Sequence, residues 1–303
     1  VIAALKGSRF ESIPVYGGRY GLSSKDTTPE QIMAVFANHE KKSFTIGIND
    51  DVTGLSLNEK TGVRSFTGHN ELPDFHKDML ECIFWGLGGD GTIGANKNSI
   101  KIIGNNTTLG VQGYFSYDSK KSGGVTVSYL RFGEGDIRSA YLIQRPEFVA
   151  CHNESYVLKY DMLSGMKQGG VFLLNCEWNV SELDEKLPDY MKYQIAMKKL
   201  DFYIINAVRT GKEIGINGKI NTILQSAFFK IVCDRYAKKY GLMSYEEAVG
   251  YMKEAARASY EVKGQKIVEM NYRAIELGGE QLVHVTVPES WRECSDKPVK
   301  RPS

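Results

Sequence analysis

The sequence predicts an α/β protein: a three-layer α/β/α, Rossmann-like domain preceded by the partial end of another α/β unit. Three observations carry that prediction. Short apolar runs recur from residue 82 to 205, nearly continuous rather than alternating, as strands covered on both faces should be. A glycine-rich turn directly follows one of these runs and opens a helical pattern. Two long amphipathic segments then close the domain.

Taken in order, Ile13–Tyr16 reads as a short strand, followed by a glycine turn at Gly17-Gly18. Thr28-Pro29-Glu30-Gln31 starts a helix, with Thr28 as cap, Pro29 in the first turn and Gln31 completing a capping box. Ile32, Val35 and Phe36 give it an apolar face, and Phe44–Ile48 is the next strand. Fifty residues are too few for a core of their own, so this is expected to be the end of a domain whose beginning lies elsewhere. Asn49 to His76 is polar, contains Gly and Asp, and is expected to be a loop.

The main domain follows. Its expected strands are Cys82–Trp85, Val111–Tyr117, Val125–Phe132, Ala140–Ile143, Phe148–Cys151, Val171–Asn175 and Phe202–Ile205. Helices are expected at Thr92–Ile103 and at Tyr156–Met166, the latter closed by Gly169-Gly170. Ile220–Tyr240 and Tyr245–Tyr260 form the closing pair, and a third helical stretch contains Met270-Asn271. The Pro- and Lys-rich end, Lys297–Ser303, has linker composition, and both termini read as cut from a longer chain.

Composition narrows the function classes. With 303 residues, 42% hydrophobic and 24% charged, the chain is neither disordered nor membrane-embedded. A net charge of +2 is too balanced for a protein that coats nucleic acid, so any anion site must be local. Five scattered cysteines, none in a C-x-x-C pair, argue against a disulfide framework, a zinc site or cluster ligands, and for a reducing, cytoplasmic setting. Neither a membrane partner nor a bound metal is expected.

The chemistry-bearing signal is Trp85-Gly86-Leu87-Gly88-Gly89-Asp90-Gly91-Thr92. Gly86, Gly88 and Gly91 satisfy G-x-G-x-x-G between a strand and a helix. Glycines there allow close approach of a phosphate, while free amides and the helix dipole attract its charge. A dinucleotide fold expects an acid at the end of the second strand; Asp118 stands there, beside Lys120 and Lys121. Two lysines suit a phosphate on or near the ribose, which favours NADP or coenzyme A over NAD; the alternative is a solvated turn. Two near-misses fail. Gly89-Asp90-Gly91 with Asn105-Asn106 mimics a thiamine-diphosphate signature with too short a gap, and the P-loop frame from Gly89 lacks its Lys-Ser/Thr. Cys151-His152-Asn153 ends a buried strand, where a thiol is expected to be inert. His39, His69, His76 and His284 read as surface residues, and Asn221 opens a helix where it could meet an anion or cap locally.

Longer blocks carry a resemblance. Gly17–Lys25, Phe44–Asp51 (FTIGINDD), Phe84–Gly104, Gly113–Leu130 (GYFSYDSKKSGGVTVSYL) and Leu130–Ser139 (LRFGEGDIRS) are similar to the middle of the pyruvate:ferredoxin (flavodoxin) oxidoreductases. So are Phe148–Asn153 (FVACHN), Lys159–Leu163 (KYDML) and Lys219–Lys230 (KINTILQSAFFK). That family oxidatively decarboxylates pyruvate on thiamine diphosphate with Mg. Electrons pass through [4Fe-4S] clusters to ferredoxin or flavodoxin, and the acyl group passes to coenzyme A. The resemblance implies that residues 1–52 end a transketolase-C-terminal-like domain and that 53–78 connect it onward. It implies that 79–275 form the coenzyme-A-associated gamma domain, and 276–303 a linker toward a ferredoxin-like domain. Coenzyme A contacts would fall on Gly88, Gly89, Asp90, Gly91, Thr92, Lys120, Lys121, Asn221 and Asn271. The thiamine and cluster sites would lie outside this sequence, in the rest of a homodimeric parent, leaving this piece non-catalytic alone. A dinucleotide-binding module of NADP type and a scaffold that binds no free ligand are the alternative readings.

Overall fold

Nine residues, Met79–Leu87 (β5), form the central strand, and their side chains alternate between two separate cores. Leu80, Cys82 and Phe84 point to one face, Ile83 to the other. The same holds for Phe148 and Ala150 against Val149 and Cys151 in β8 (Phe148–Cys151). Burial on both faces is why these strands read as unbroken apolar runs. The computed structural model describes residues 2–15, 17–19, 29, 32, 43–45, 54–58, 63–67, 78–117, 123–216 and 220–295. These fall into two compact units, 1–75 with 139–142, and 76–138 with 143–303.

In the first unit a short helix, α1 (Ile2–Leu5), precedes β1 (Gly17–Arg19), which pairs in parallel with β2 (Ser43–Thr45). Pro29 and Ile32 between them are helical. The described residues Ile13–Val15 are not strand; pairing begins at the Gly17-Gly18 step expected to turn. The expected loop after Asn49 contains an antiparallel pair, β3 (Gly54–Asn58) and β4 (Val63–Thr67). Leu55 and Leu57 alternate with polar neighbours, the period of a half-buried strand, which the Gly and Asp content of the stretch masks.

The second unit is a seven-stranded mixed sheet in the order β11-β10-β9-β8-β5-β7-β6. From β5 the chain passes through α2 (Thr92–Asn106) to β6 (Gly110–Tyr117) at one edge. It returns through β7 (Val125–Gly133), antiparallel to both β6 and β5. The chain then moves to the other side of β5, adding β8, β9 (Val171–Asn175) and β10 (Asp201–Ile205) in parallel. The strand after α2 is therefore the sheet's edge, two places from β5, and not its immediate neighbour as in a dinucleotide fold.

Helices cover both faces. On one lie α2, α5 (Asn221–Tyr240), α6 (Tyr245–Tyr260) and α7 (Gln265–Glu280), around Phe84, Phe148 and Phe228, whose ring centroids stand 5.1–5.6 Å apart. Between β10 and α5 comes α4 (Ala207–Glu213), and on the opposite face α3 (Asp189–Met197) packs with Trp291. Ser244 starts α6 with a capping box: its hydroxyl accepts from the Glu247 amide while the Glu247 carboxylate accepts from the Ser244 amide.

Three expectations need correction. Tyr156–Met166 is not a helix but a 3-10 turn, Glu154–Leu158, followed by irregular chain. Tyr156, Met162, Leu163 and Met166 are buried at helix-like spacing, but the chain at Gly165 runs so close to its neighbour that a Cβ there would lie 2.2 Å from the Gln144 carbonyl oxygen. Ala140–Ile143 pairs with no strand. From residue 276 to 295 the chain keeps packing rather than trailing as a linker. The helix α7 runs on to Glu280, β11 (Val283–Val285) joins β10, and Trp291 is buried with its indole N–H donating to Asp184. A strand of three residues and one tryptophan give no periodicity to read in advance. Among the described residues, no helix is long and apolar enough to cross a membrane.

Candidate functional site

Successive strands leave β5 in opposite directions, toward β6 by way of α2 and toward β8 on the other side. In open α/β sheets such a switch opens a crevice at the carboxyl ends of the strands. Here that crevice is formed by the ends of β5 and β8, where residues 88–91 meet Cys151-His152-Asn153.

The turn is built around Asp90. Its carboxylate accepts from the Leu87 amide at 2.9 Å, the Thr92 amide at 2.7 Å and the Thr92 hydroxyl at 2.8 Å. It thus caps the start of α2 and closes the loop on the strand that enters it. Gly91 has φ +90°, and a Cβ there would sit 2.8 Å from the Asn221 amide nitrogen. At Gly86 a Cβ would lie 2.6 Å from Thr92 Oγ1. Both glycines are dictated by close approach.

Four elements converge on one hydroxyl. Thr92 Oγ1 lies 2.8 Å from Asp90 Oδ2, 2.9 Å from His152 Nδ1 and 3.2 Å from Asn221 Oδ1. The Asn221 amide also donates to the Asp90 carbonyl, so α5 is fastened to the loop at its first residue. Further along, Gln225 donates to the Ala95 carbonyl and Ser99 hydroxyl, holding α5 against α2. His152 is buried, edge-on to Phe84, and burial pushes its imidazole down to about 4 against the opposing pull of Asp90. The Asn175 amide donates to the His152 carbonyl while its oxygen accepts from the Ala207 amide, extending the network to α4.

Most of the residues expected on this site meet there. Gly88, Gly89, Asp90, Gly91 and Thr92 form the turn, and Asn221 touches it. Asn271 is buried on α7, donates to the Ile267 carbonyl and accepts from Thr222 at 3.4 Å, so its link to the turn runs through the neighbour of Asn221. Lys120 and Lys121, with Asp118, lie outside the described residues. Gly123 and Gly124, which follow them in the chain, are held, however: Gly88 donates to the Gly124 carbonyl at 2.7 Å and accepts from the Gly123 amide at 3.3 Å. Cys151 is buried and its thiol is pushed up to about 12 by burial, so it is no nucleophile. His152 was missed by sequence reasoning. The signal available was its place just after a parallel strand's carboxyl end.

Chemically, the turn offers amides to an anion. Among the described residues the Ile93 and Gly94 amides, in the first turn of α2, find no acceptor within the chain. A cleft of about 670 Å³ opens elsewhere, over the ends of β9 and β10, lined among others by Trp178, Asn206, Arg209 and Gln281.

Residues 81–281 match the family "Pyruvate ferredoxin/flavodoxin oxidoreductase". The chain is 46% identical over 289 residues to a pyruvate-flavodoxin oxidoreductase from Enterobacter agglomerans, covering 94% of this chain and 23% of that protein. It is 47% identical over 291 residues to a pyruvate:ferredoxin oxidoreductase from Moorella thermoacetica, covering 95% of this chain and again 23% of the relative. The chain therefore spans about a quarter of the length of these relatives. A crystal structure of a pyruvate oxidoreductase subunit from Thermotoga maritima superposes with a TM-score of 0.53, at 17% identity, over 69% of this chain and 99% of that one.

Proposed function

The chain belongs to the pyruvate ferredoxin/flavodoxin oxidoreductase family, and on that premise we propose that its second unit is the coenzyme-A-handling part of a 2-oxoacid oxidoreductase. One observation carries the reading: a braced glycine turn at the sheet's switch point is hydrogen-bonded to Gly123 and Gly124, which follow Lys120 and Lys121 in the chain. In this reading the open amides of Ile93 and Gly94, with the backbone at Gly88, Gly89 and Gly91, receive a diphosphate. The Asp90 carboxylate already accepts three hydrogen bonds, so in this reading it shapes the turn and does not contact phosphate itself. Thr92 anchors the turn, Asn221 joins it to α5, and Asn271 supports that junction through Thr222. Lys120 and Lys121 would supply positive charge for the ribose phosphate.

The parent enzyme would pass an acyl group from pyruvate to coenzyme A and electrons to ferredoxin or flavodoxin. Thiamine diphosphate, Mg and [4Fe-4S] clusters belong to its other domains in this reading. Cys82, Cys151 and Cys176 are buried, with thiols raised by desolvation, and among the described residues no group of three or more ligating side chains could hold a metal. In this reading the unit binds the acyl acceptor and presents it to the other domains of the parent.

Titration calorimetry with coenzyme A, dephospho-coenzyme A and NADP tests the proposal. Coenzyme A is expected to bind about tenfold more tightly than the dephospho form, the worth of one charge-assisted contact. Equal affinities would remove the lysines from the site. Preference for NADP would transfer the site to a dinucleotide.

A further inference from the structure

The hydroxyl of Thr92 has one proton and three neighbours within hydrogen-bond distance, Asp90 Oδ2, Asn221 Oδ1 and His152 Nδ1. Two of these can only accept, a carboxylate oxygen and an amide oxygen. Whichever of them takes the Thr92 proton, none remains for His152. A bare Nδ1 would then face a hydroxyl lone pair at 2.9 Å in a buried site. If Thr92 instead gave its proton to Nδ1, both oxygens would face its lone pairs; the two shortest contacts, to Asp90 and to His152, are satisfied together only if the imidazole supplies a proton of its own from Nδ1. The ring is also held in place: its backbone amide donates to the Trp85 carbonyl at 2.8 Å, and its carbonyl accepts from Asn175.

From this count we infer that His152 is a positioning residue of the coenzyme site, the neutral Nδ1–H tautomer donating to Thr92. That donation turns the Thr92 proton toward Asp90 and fixes the turn with its remaining amides outward. The inference rests on the coenzyme reading for its ligand, but its geometry does not depend on that reading. Burial, which keeps the ring uncharged down to about pH 4, leaves a single ring proton at neutral pH and agrees with this assignment. Nε2 is then the bare nitrogen.

Ring nitrogen NMR on the full 303-residue chain tests the tautomer without any substitution, the His152 signals being identified by their loss in His152→Asn. At pH 7 a protonated Nδ1 and a bare Nε2 are expected. The reverse pattern, or a doubly protonated ring, would overturn the inference. Three variants then test its consequence. The side-chain amide of Asn places a donor where Nδ1 was, that of Gln where Nε2 was, and Leu has none. His152→Asn should keep coenzyme A affinity within about threefold, whereas His152→Gln and His152→Leu should lose about tenfold or more. Wild-type affinity in the Gln or Leu variant would overturn the positioning role. If the wild-type chain itself binds no coenzyme A, the proposed ligand fails separately. Hydrogen exchange at the Leu87 and Thr92 amides then decides the bracing: slow in wild type and His152→Asn, faster in the other two if the inference holds, unchanged if it does not.

Discussion

The glycine turn at the ends of β5 and β8 and the cleft over the ends of β9 and β10 lie on the same edge of one sheet, yet they are built on opposite terms. The cleft holds about 670 Å³. Its charged side chains are exposed, and Arg209 and Glu213 pair with each other at 2.9 Å, one turn apart on α4. Exposed pairs of this kind are worth little. At the turn Thr92 and His152 are buried and Asp90 and Asn221 half-buried, and these groups are mutually bonded and drawn from the ends of β5 and β8 and the starts of α2 and α5. A site that must hold a charged group in fixed geometry needs donors already aimed, and volume supplies none. The difference argues for reading function from the accounting of buried hydrogen bonds before reading it from cavities.

The contrast can be broken most sharply at Thr92. Thr92→Val keeps the shape but removes the hydroxyl shared by Asp90 and His152, leaving buried polar atoms without partners. Loss of about 2–4 kcal/mol in urea unfolding is expected, together with coenzyme A affinity. Arg209→Ala in the cleft should change stability by less than about 0.5 kcal/mol. Equal effects at the two positions would erase the distinction.

Acid should discriminate next. The fold holds the His152 ring neutral to about 4, whereas the unfolded chain protonates it near 6.5. The unfolded state therefore binds more protons in between, and stability falls as pH drops from about 6.5 to 4, levelling off below. The full effect is about 3 kcal/mol. It should be absent in His152→Asn, so the two stability–pH curves converge toward pH 4; parallel curves would mean the ring is not held neutral.

Gly91→Ala comes third. It sets a side chain at φ +90° and 2.8 Å from Asn221, for a cost of about 2 kcal/mol by thermal unfolding. Gly250→Ala in α6, where a Cβ meets nothing, should instead stabilise by about 0.5–1 kcal/mol. The smallest effect is expected at the hairpin: Lys120→Ala with Lys121→Ala should leave unfolding unchanged within about 0.5 kcal/mol while removing the preference for coenzyme A over its dephospho form. A stability loss there would give the lysines a structural role.

Much of this was written in the chain. The strands β5, β7, β8 and β9 announce themselves because they are buried on both faces, and α5 and α6 because their apolar residues recur at helical spacing. Gly86 to Thr92 was legible as a tight glycine turn between strand and helix since its constraint is local. Residues 154–166 were not, because their apolar spacing imitates a helix while a tertiary approach, Gly165 against the Gln144 carbonyl, sets the chain's course. The hairpin β3–β4 was hidden by its turn-forming composition, and β11 by its brevity.

What the sequence determined by itself was the layer architecture and the turn, both products of short-range pattern and backbone geometry. Only the tertiary structure decided that β6 sits at the edge with β7 returning beside β5. It alone decided that His152 and Asn221, sixty and more residues from Thr92, share its hydroxyl. Strand order and side-chain convergence depend on which surfaces bury each other most completely. That is a property of the whole chain, and no local window contains it.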